Sequence, residues 1–142
     1  MTALLPNWSL RLDAYLLAVG HTPFEWGKHD CLSFTNGAHN AMTGFGYCDD
    51  LVKRAFTAME AKREYLAEMK KRKLYSGTEL IDERLTRVFR NPERGMIVAM
   101  LAQKMATGYA LGVCIDGDSA AFVGYEGIEV LPAGAGEFAW RV

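Results

Sequence analysis

The hydrophobic period of this chain changes once, at Asn91-Pro92, and that change limits the fold more than any other feature. Before it, apolar residues recur three and four positions apart. After it they come in short runs of strand length, separated by Gly and Asp. Helices first and antiparallel strands second is the α+β pattern. Leu12, Tyr15, Leu16 and Val19 share a face of a first helix that Asn7 or Ser9 can cap and Gly20 can close. Asp30 is a good N-cap for a second helix, in which Cys31, Phe34, Ala38, Ala41 and Met42 keep helical spacing until Gly44. A third helical stretch is expected from about Leu51 to Leu74, carrying Leu51, Val52, Ala55, Phe56, Met59, Leu66 and Met69. Thr78, with Glu79 and Asp82, opens a short helix expected to run through Leu85, Val88 and Phe89. The strands follow as Met96 to Leu101, Tyr109 to Ile115, Ala120 to Tyr125, Ile128 to Leu131 and Phe138 to Val142, with a hairpin at Asp116-Gly117-Asp118.

Composition narrows the function classes. At 142 residues, half of them hydrophobic, the chain is expected to form one domain with a real core. A net charge of −1 gives no electrostatic case for nucleic acid or an anionic membrane surface. No apolar run approaches the roughly 18 residues of a membrane span, and Met1-Thr-Ala-Leu-Leu-Pro6 does not read as a signal peptide. Cys31, Cys48 and Cys114 form no staple pattern, which suits a reducing compartment or a particle assembled in one. No Cys or His pair has structural-zinc spacing, and Gly44-Phe45-Gly46 lacks the context of a phosphate loop, so neither metal nor cofactor is expected. Lys70-Lys71-Arg72-Lys73 can be read as a phosphate patch or, in keeping with most charge runs, as a solvated helix end.

The stretch that carries chemistry is Pro23-Phe-Glu-Trp-Gly-Lys-His-Asp-Cys31. It sets a thiol at the first position of a helix, where unpaired N–H groups and the macrodipole favour a thiolate. Trp26 is a large apolar anchor of the loop, Gly27 its turn residue and Asp30 the cap. His29 can brace the loop or serve as a displaced base toward Cys31. His39, about two turns along the helix and so roughly 12 Å away, is too far to do so. Cys31 can also be read as a packed small hydrophobe.

Trp26-Gly27-x-x-Asp30-Cys31-x-x-Phe34 resembles the block before the catalytic helix of the NlpC-type papain-like cysteine peptidases. Arg94-Gly95-Met96-Ile97-Val98 is similar to that family's Gly-Asp-Leu-Val strand, and Ala110-Leu-Gly-Val-Cys-Ile-Asp-Gly117 to its His-Val-Gly-Ile-Tyr strand. More closely, Phe24-x-Trp26-Gly27-x-His29-Asp30-Cys31, Leu111-Gly112-Val113 and the Ala-Trp-Arg-Val ending resemble a small phage- and prophage-encoded group that sits beside tail genes. The resemblance implies a single NlpC-like domain over 1–142 with a variable charged helical insertion at about 48–90. It implies a papain-like α+β fold in which the Cys31 helix packs on a C-terminal antiparallel sheet.

One departure bears on function. The family's general base is the histidine that opens the second of those strands, and Ala110 stands there. A methyl group cannot take a proton from a thiol. The resemblance therefore implies a degenerate, catalytically inactive peptidase fold, serving as a tail-tip or tail-assembly component. Its partners would be other tail proteins of the tip or hub, its location the virion tail after synthesis in the host cytoplasm. Two alternatives stand beside it: an active endopeptidase or amidase on peptidoglycan peptides with Cys31 as nucleophile and His29 as base, and a non-catalytic module that binds cell-wall peptide. Trp8, Tyr47, Tyr75 or the Trp140 end would supply docking surface.

Overall fold

The computed structural model describes residues 4–54, 56–102, 109–132 and 138–142. Its elements are α1 (Trp8–Val19), α2 (Cys31–Thr43), α3 (Ala58–Arg72), α4 (Gly77–Asp82), β1 (Thr86–Val88), β2 (Ile97–Leu101), β3 (Tyr109–Cys114), β4 (Ser119–Gly124), β5 (Gly127–Pro132) and β6 (Phe138–Arg141). The strands form one antiparallel sheet in the order β1-β6-β2-β3-β4-β5. This is the α+β architecture that the change of period implies.

The core lies between α2 and one face of the sheet. Phe34, Ala38 and Met42 of α2 meet Ile97, Leu111, Val113 and Trp140 there. A second cluster, built on Met96, Val98, Cys114 and Phe122, fills the opposite face. The division follows the two-residue period of a strand: Leu111 and Val113 go to the helix side, Ala110 and Cys114 to the other. Trp140 is fully buried and donates its indole N–H to Asp82 Oδ1 at 2.7 Å. Hiding a side chain of that size from water is worth roughly 4–6 kcal/mol.

Two helical expectations are corrected. The third helix begins at Ala58 rather than near Leu51. Residues 51–54 form turns, with Lys53 at φ 64, which a helix cannot carry through. Thr57 accepts from the Glu60 N–H at 3.1 Å, while Glu60 reaches back to the Phe56 N–H at 3.0 Å. That Thr-x-x-Glu capping signal is visible in the sequence. The buried stripe of α3 is Ala61, Tyr65, Glu68 and Met69, whereas Phe56, Met59 and Leu66 are exposed, and Ala55 lies outside the described residues. Glu68 tolerates its place because Arg72 (2.8 Å) and Arg54 (3.3 Å) both pair with it.

The fourth helix ends at Asp82, not at Phe89. Thr86-Arg87-Val88 is instead a strand, paired with Ala139, Trp140 and Arg141 of β6. Arg87 makes the change of state favourable. It forms two hydrogen bonds to Asp82, at 2.8 and 2.7 Å, and lays its guanidinium over Phe138 at 4.4 Å. Two docking candidates also fall away, because Trp140 and Tyr47 are buried. Tyr75 is exposed, and Trp8 is half-buried against the core.

Candidate functional site

Asp30 builds the entrance to α2. Its Oδ1 accepts the Ser33 N–H at 2.8 Å and its Oδ2 accepts the Gly27 N–H at 3.0 Å, so one buried carboxylate closes both the helix start and the loop before it. Gly27 has φ 79, a left-handed value that favours glycine. Glu25 and His29 exchange backbone hydrogen bonds at 2.8 and 3.2 Å, and the Phe24 N–H donates to Gly124 O at 2.9 Å, tying the loop to the end of β4. Trp26 packs edge-on to Phe24, with ring centroids 4.9 Å apart. The loop is held at both ends and presents its aromatic side to one place.

That place is a cleft of about 650 Å³ with Cys31 in its wall. Phe24, Trp26, Phe56, Phe122 and Tyr125 give it aromatic faces, and Glu25 and Glu129 are its carboxylates. Leu111 lines it from the Cys31 side of the sheet, and Ala110 of the same strand lines it with its methyl group turned to the other face. The Ile115 N–H donates to Ser119 O at 2.9 Å, so by alternation the N–H groups of Val113 and Leu111 also face β4. The β3–β4 ladder stops at Gly112–Phe122, and the Leu111 N–H is among the groups that favour a thiolate at Cys31.

Opposing influences act on that sulfur. Burial pushes the Cys31 thiol up to about 12, and the neighbouring Asp30 carboxylate adds to the rise. The backbone N–H groups of Leu111, Leu32 and Cys31 favour the thiolate without overcoming burial. At neutral pH the group is a thiol. The dipole of α2 is already answered by its own cap carboxylate, so the helix start alone does not activate the cysteine.

The chain's three histidines are all placed, and no histidine lines the cleft among the described residues. His29 is buried edge-on to Phe34 at 5.9 Å, with Nε2 unpartnered, and its imidazole titrates below the ordinary range because burial disfavours the charged form. The charge that acts on it is Asp30. Among the described residues no hydrogen bond joins it to Cys31. His39 Nδ1 contacts Phe45 O at 2.7 Å, far along α2, and His21 is exposed.

Several site residues lay beyond the sequence reading. The buried phenols of Tyr47 and Tyr65 titrate well above the ordinary value, first through burial, and both lie near enough to Cys31 for a thiolate there to raise them further. Tyr65 comes from α3, so the 48–90 segment reaches the back of the site. Its only sequence signal is its spacing of four from Ala61 and Met69. Phe56, Phe122, Tyr125 and Glu129 join the cleft through chain topology, which periodicity does not reveal.

A family model described as "Domain of unknown function (DUF6950)" matches residues 3–142, so the chain belongs to that family. No curated protein matches it. Among solved structures, the crystal structure of the NlpC/p60 domain of the peptidoglycan hydrolase SagA is similar, with a TM-score of 0.57 and 14% identity. The match covers 94% of this chain and 98% of that one. The fold is therefore NlpC/p60-like. Among the described residues no helix is long and apolar enough to cross a membrane.

Proposed function

For this member of the DUF6950 family we propose a non-hydrolytic NlpC-type domain that works by binding, as an interaction component of a phage tail tip or hub. The observation that carries the first half is the surroundings of Cys31: a half-buried thiol beside the Asp30 carboxylate, in a cleft without a histidine among its described residues. Cys–His chemistry needs a base in hydrogen-bond reach of the thiol. Ala110, at the position where the peptidases resembled carry their base, lines the cleft with a residue that has no proton acceptor, its methyl group packed toward the opposite face of the sheet. His29 faces Phe34 and lacks a bond to the sulfur. The phage setting, and with it residence in the virion tail after synthesis in the host cytoplasm, is supported by the likeness of the Phe24-to-Cys31 motif to the tail-associated group.

The test pairs thiol chemistry with hydrolysis. Alkylation of Cys31, read against a Cys31→Ser control, is expected to be slow at neutral pH and to climb only above pH 10. Peptidoglycan digests are expected to match the blank. An apparent pKa below the free value of about 8.5, or Cys31-dependent release of cleaved stem peptides, overturns the non-hydrolytic role. Mass spectrometry of purified particles tests the setting; the chain's absence from them removes the tail assignment.

A further inference from the structure

On the binding role proposed above, we infer that the cleft beside Cys31 accepts a cationic side chain, of lysine or arginine type, from an extended peptide segment of its partner. The charge pattern of the cleft points there. Among the described residues its wall holds two carboxylates, Glu25 and Glu129, and no lysine, arginine or histidine. The buried Asp30 carboxylate adds negative charge just behind Cys31, and it occupies the helix start where an anion would otherwise sit. Lys28 meets Glu25 at 3.8 Å, with side chains 70% and 58% exposed. An exposed pair of that kind is easily exchanged for another ammonium. Glu129 has no ion pair among those of the described residues.

The walls fit the same ligand. Trp26, Phe24 and Tyr125 line the cleft with aromatic rings, which attract an ammonium or guanidinium and cover its methylene stem. A cleft of about 650 Å³ has room for such a side chain and a neighbouring apolar residue. An anionic ligand is repelled by both carboxylates, and a purely apolar one gives Glu129 no partner.

Three tripeptides test this on the full chain: acetyl-Leu-Lys-Leu-amide, the same peptide with norleucine for lysine, and the same with glutamate. Binding is followed by calorimetry and by the Trp26 indole N–H resonance. The lysine peptide is expected to bind about tenfold tighter than the norleucine peptide, to shift the Trp26 signal, and to weaken with salt. Glu25→Gln combined with Glu129→Gln is expected to bring that preference to within about threefold. Both residues are exposed, so the fold is retained, and the melting temperature checks it. Equal binding of lysine and norleucine peptides, tighter binding of the glutamate peptide, no binding at all, or a preference unchanged in the double variant overturns the inference. The same samples are assayed for peptidoglycan cleavage. Hydrolysis overturns the non-hydrolytic role while leaving a lysine preference intact, and equal binding without hydrolysis does the reverse.

Discussion

Asp30→Ala removes the side chain that shapes the entrance to the cleft. Two N–H groups lose their acceptor: Ser33, 2.8 Å from Oδ1, and Gly27, 3.0 Å from Oδ2. Loss of an N-cap costs about 1 kcal/mol, and a buried donor left unsatisfied about 1–3 kcal/mol more. The sum is roughly 2–4 kcal/mol. A domain of this length unfolds with an entropy near 0.3 kcal/mol per degree, so the melting temperature should fall by about 7–13 °C. Asp30→Asn separates the cap from the charge. Its amide oxygen keeps one of the two bonds, so it should lose about half as much. The Coulombic part of the rise in the Cys31 thiol should vanish with the charge, while burial, the larger cause, stays. Alkylation of Cys31 should therefore quicken only modestly in Asp30→Asn. Thermal unfolding by circular dichroism reads the first effect and alkylation against pH the second. A melting temperature for Asp30→Ala within about 2 °C of the parent refutes the double cap.

Gly112→Ala should destabilise by about 1–3 kcal/mol through overpacking, since a Cβ there would lie 2.6 Å from Ala121 O and 2.7 Å from the Phe122 ring. An unchanged denaturant midpoint would count against the close β3–β4 approach. Glu68 is held below the ordinary glutamate range, first by the Arg72 hydrogen bond. A depressed carboxyl contributes stability above its unfolded value, about 4.3, and loses it as pH falls through the folded value. Glu68→Gln should thus lower the melting temperature at pH 7 and converge on the parent in acid; a constant gap refutes the ion-pair role. Ala110→His puts an imidazole at the cleft that Cys31 also lines, and where it turns to the sulfur the apparent pKa of the thiol should fall below the parent's. An unchanged alkylation profile refutes Ala110 as the vacant base position.

Parts of this fold were legible because local chemistry decides them alone. Asp30 and Gly44 bracket α2 as capping preferences require, with Gly44 at φ 96, and Asp116-Gly117 turns β3 into β4. The stretch before Pro92 was harder. Val88 and Phe89 continue a helical spacing from Leu85, yet a three-residue strand forms because β6 and the Asp82–Arg87 pair lie beside it. Tertiary pairing overrides a short periodic signal of that kind. Leu51 to Phe56 fails for another reason: apolar spacing was continuous there, while the Thr57-x-x-Glu60 cap marked the true start. For the site, the Cys31 loop could be read from sequence, but the opposite wall could not. Tyr125 and Glu129 reach the cleft from the β4–β5 turn and from β5, nearly a hundred residues away.

The environment of Cys31 reconciles a helix-start cysteine with the absence of a partner base. A helix N-terminus lowers a thiol's pKa when its N–H groups and dipole act on a sulfur in contact with water. Here the Ser33 N–H is given to Asp30, the carboxylate offsets the dipole, and burial removes the solvent that would support a thiolate. Burial thus does most to keep the first side chain of the helix neutral, and the residue that caps the helix adds to it. The same negative field that disfavours the thiolate makes the cleft hospitable to a cation, with Glu25 and Glu129 extending it outward. On the proposed function, inertness toward hydrolysis and affinity for a basic side chain would be two consequences of one charge arrangement. Reversing that arrangement at Glu25 and Glu129 would alter recognition without making Cys31 a nucleophile, because Asp30 and burial would remain.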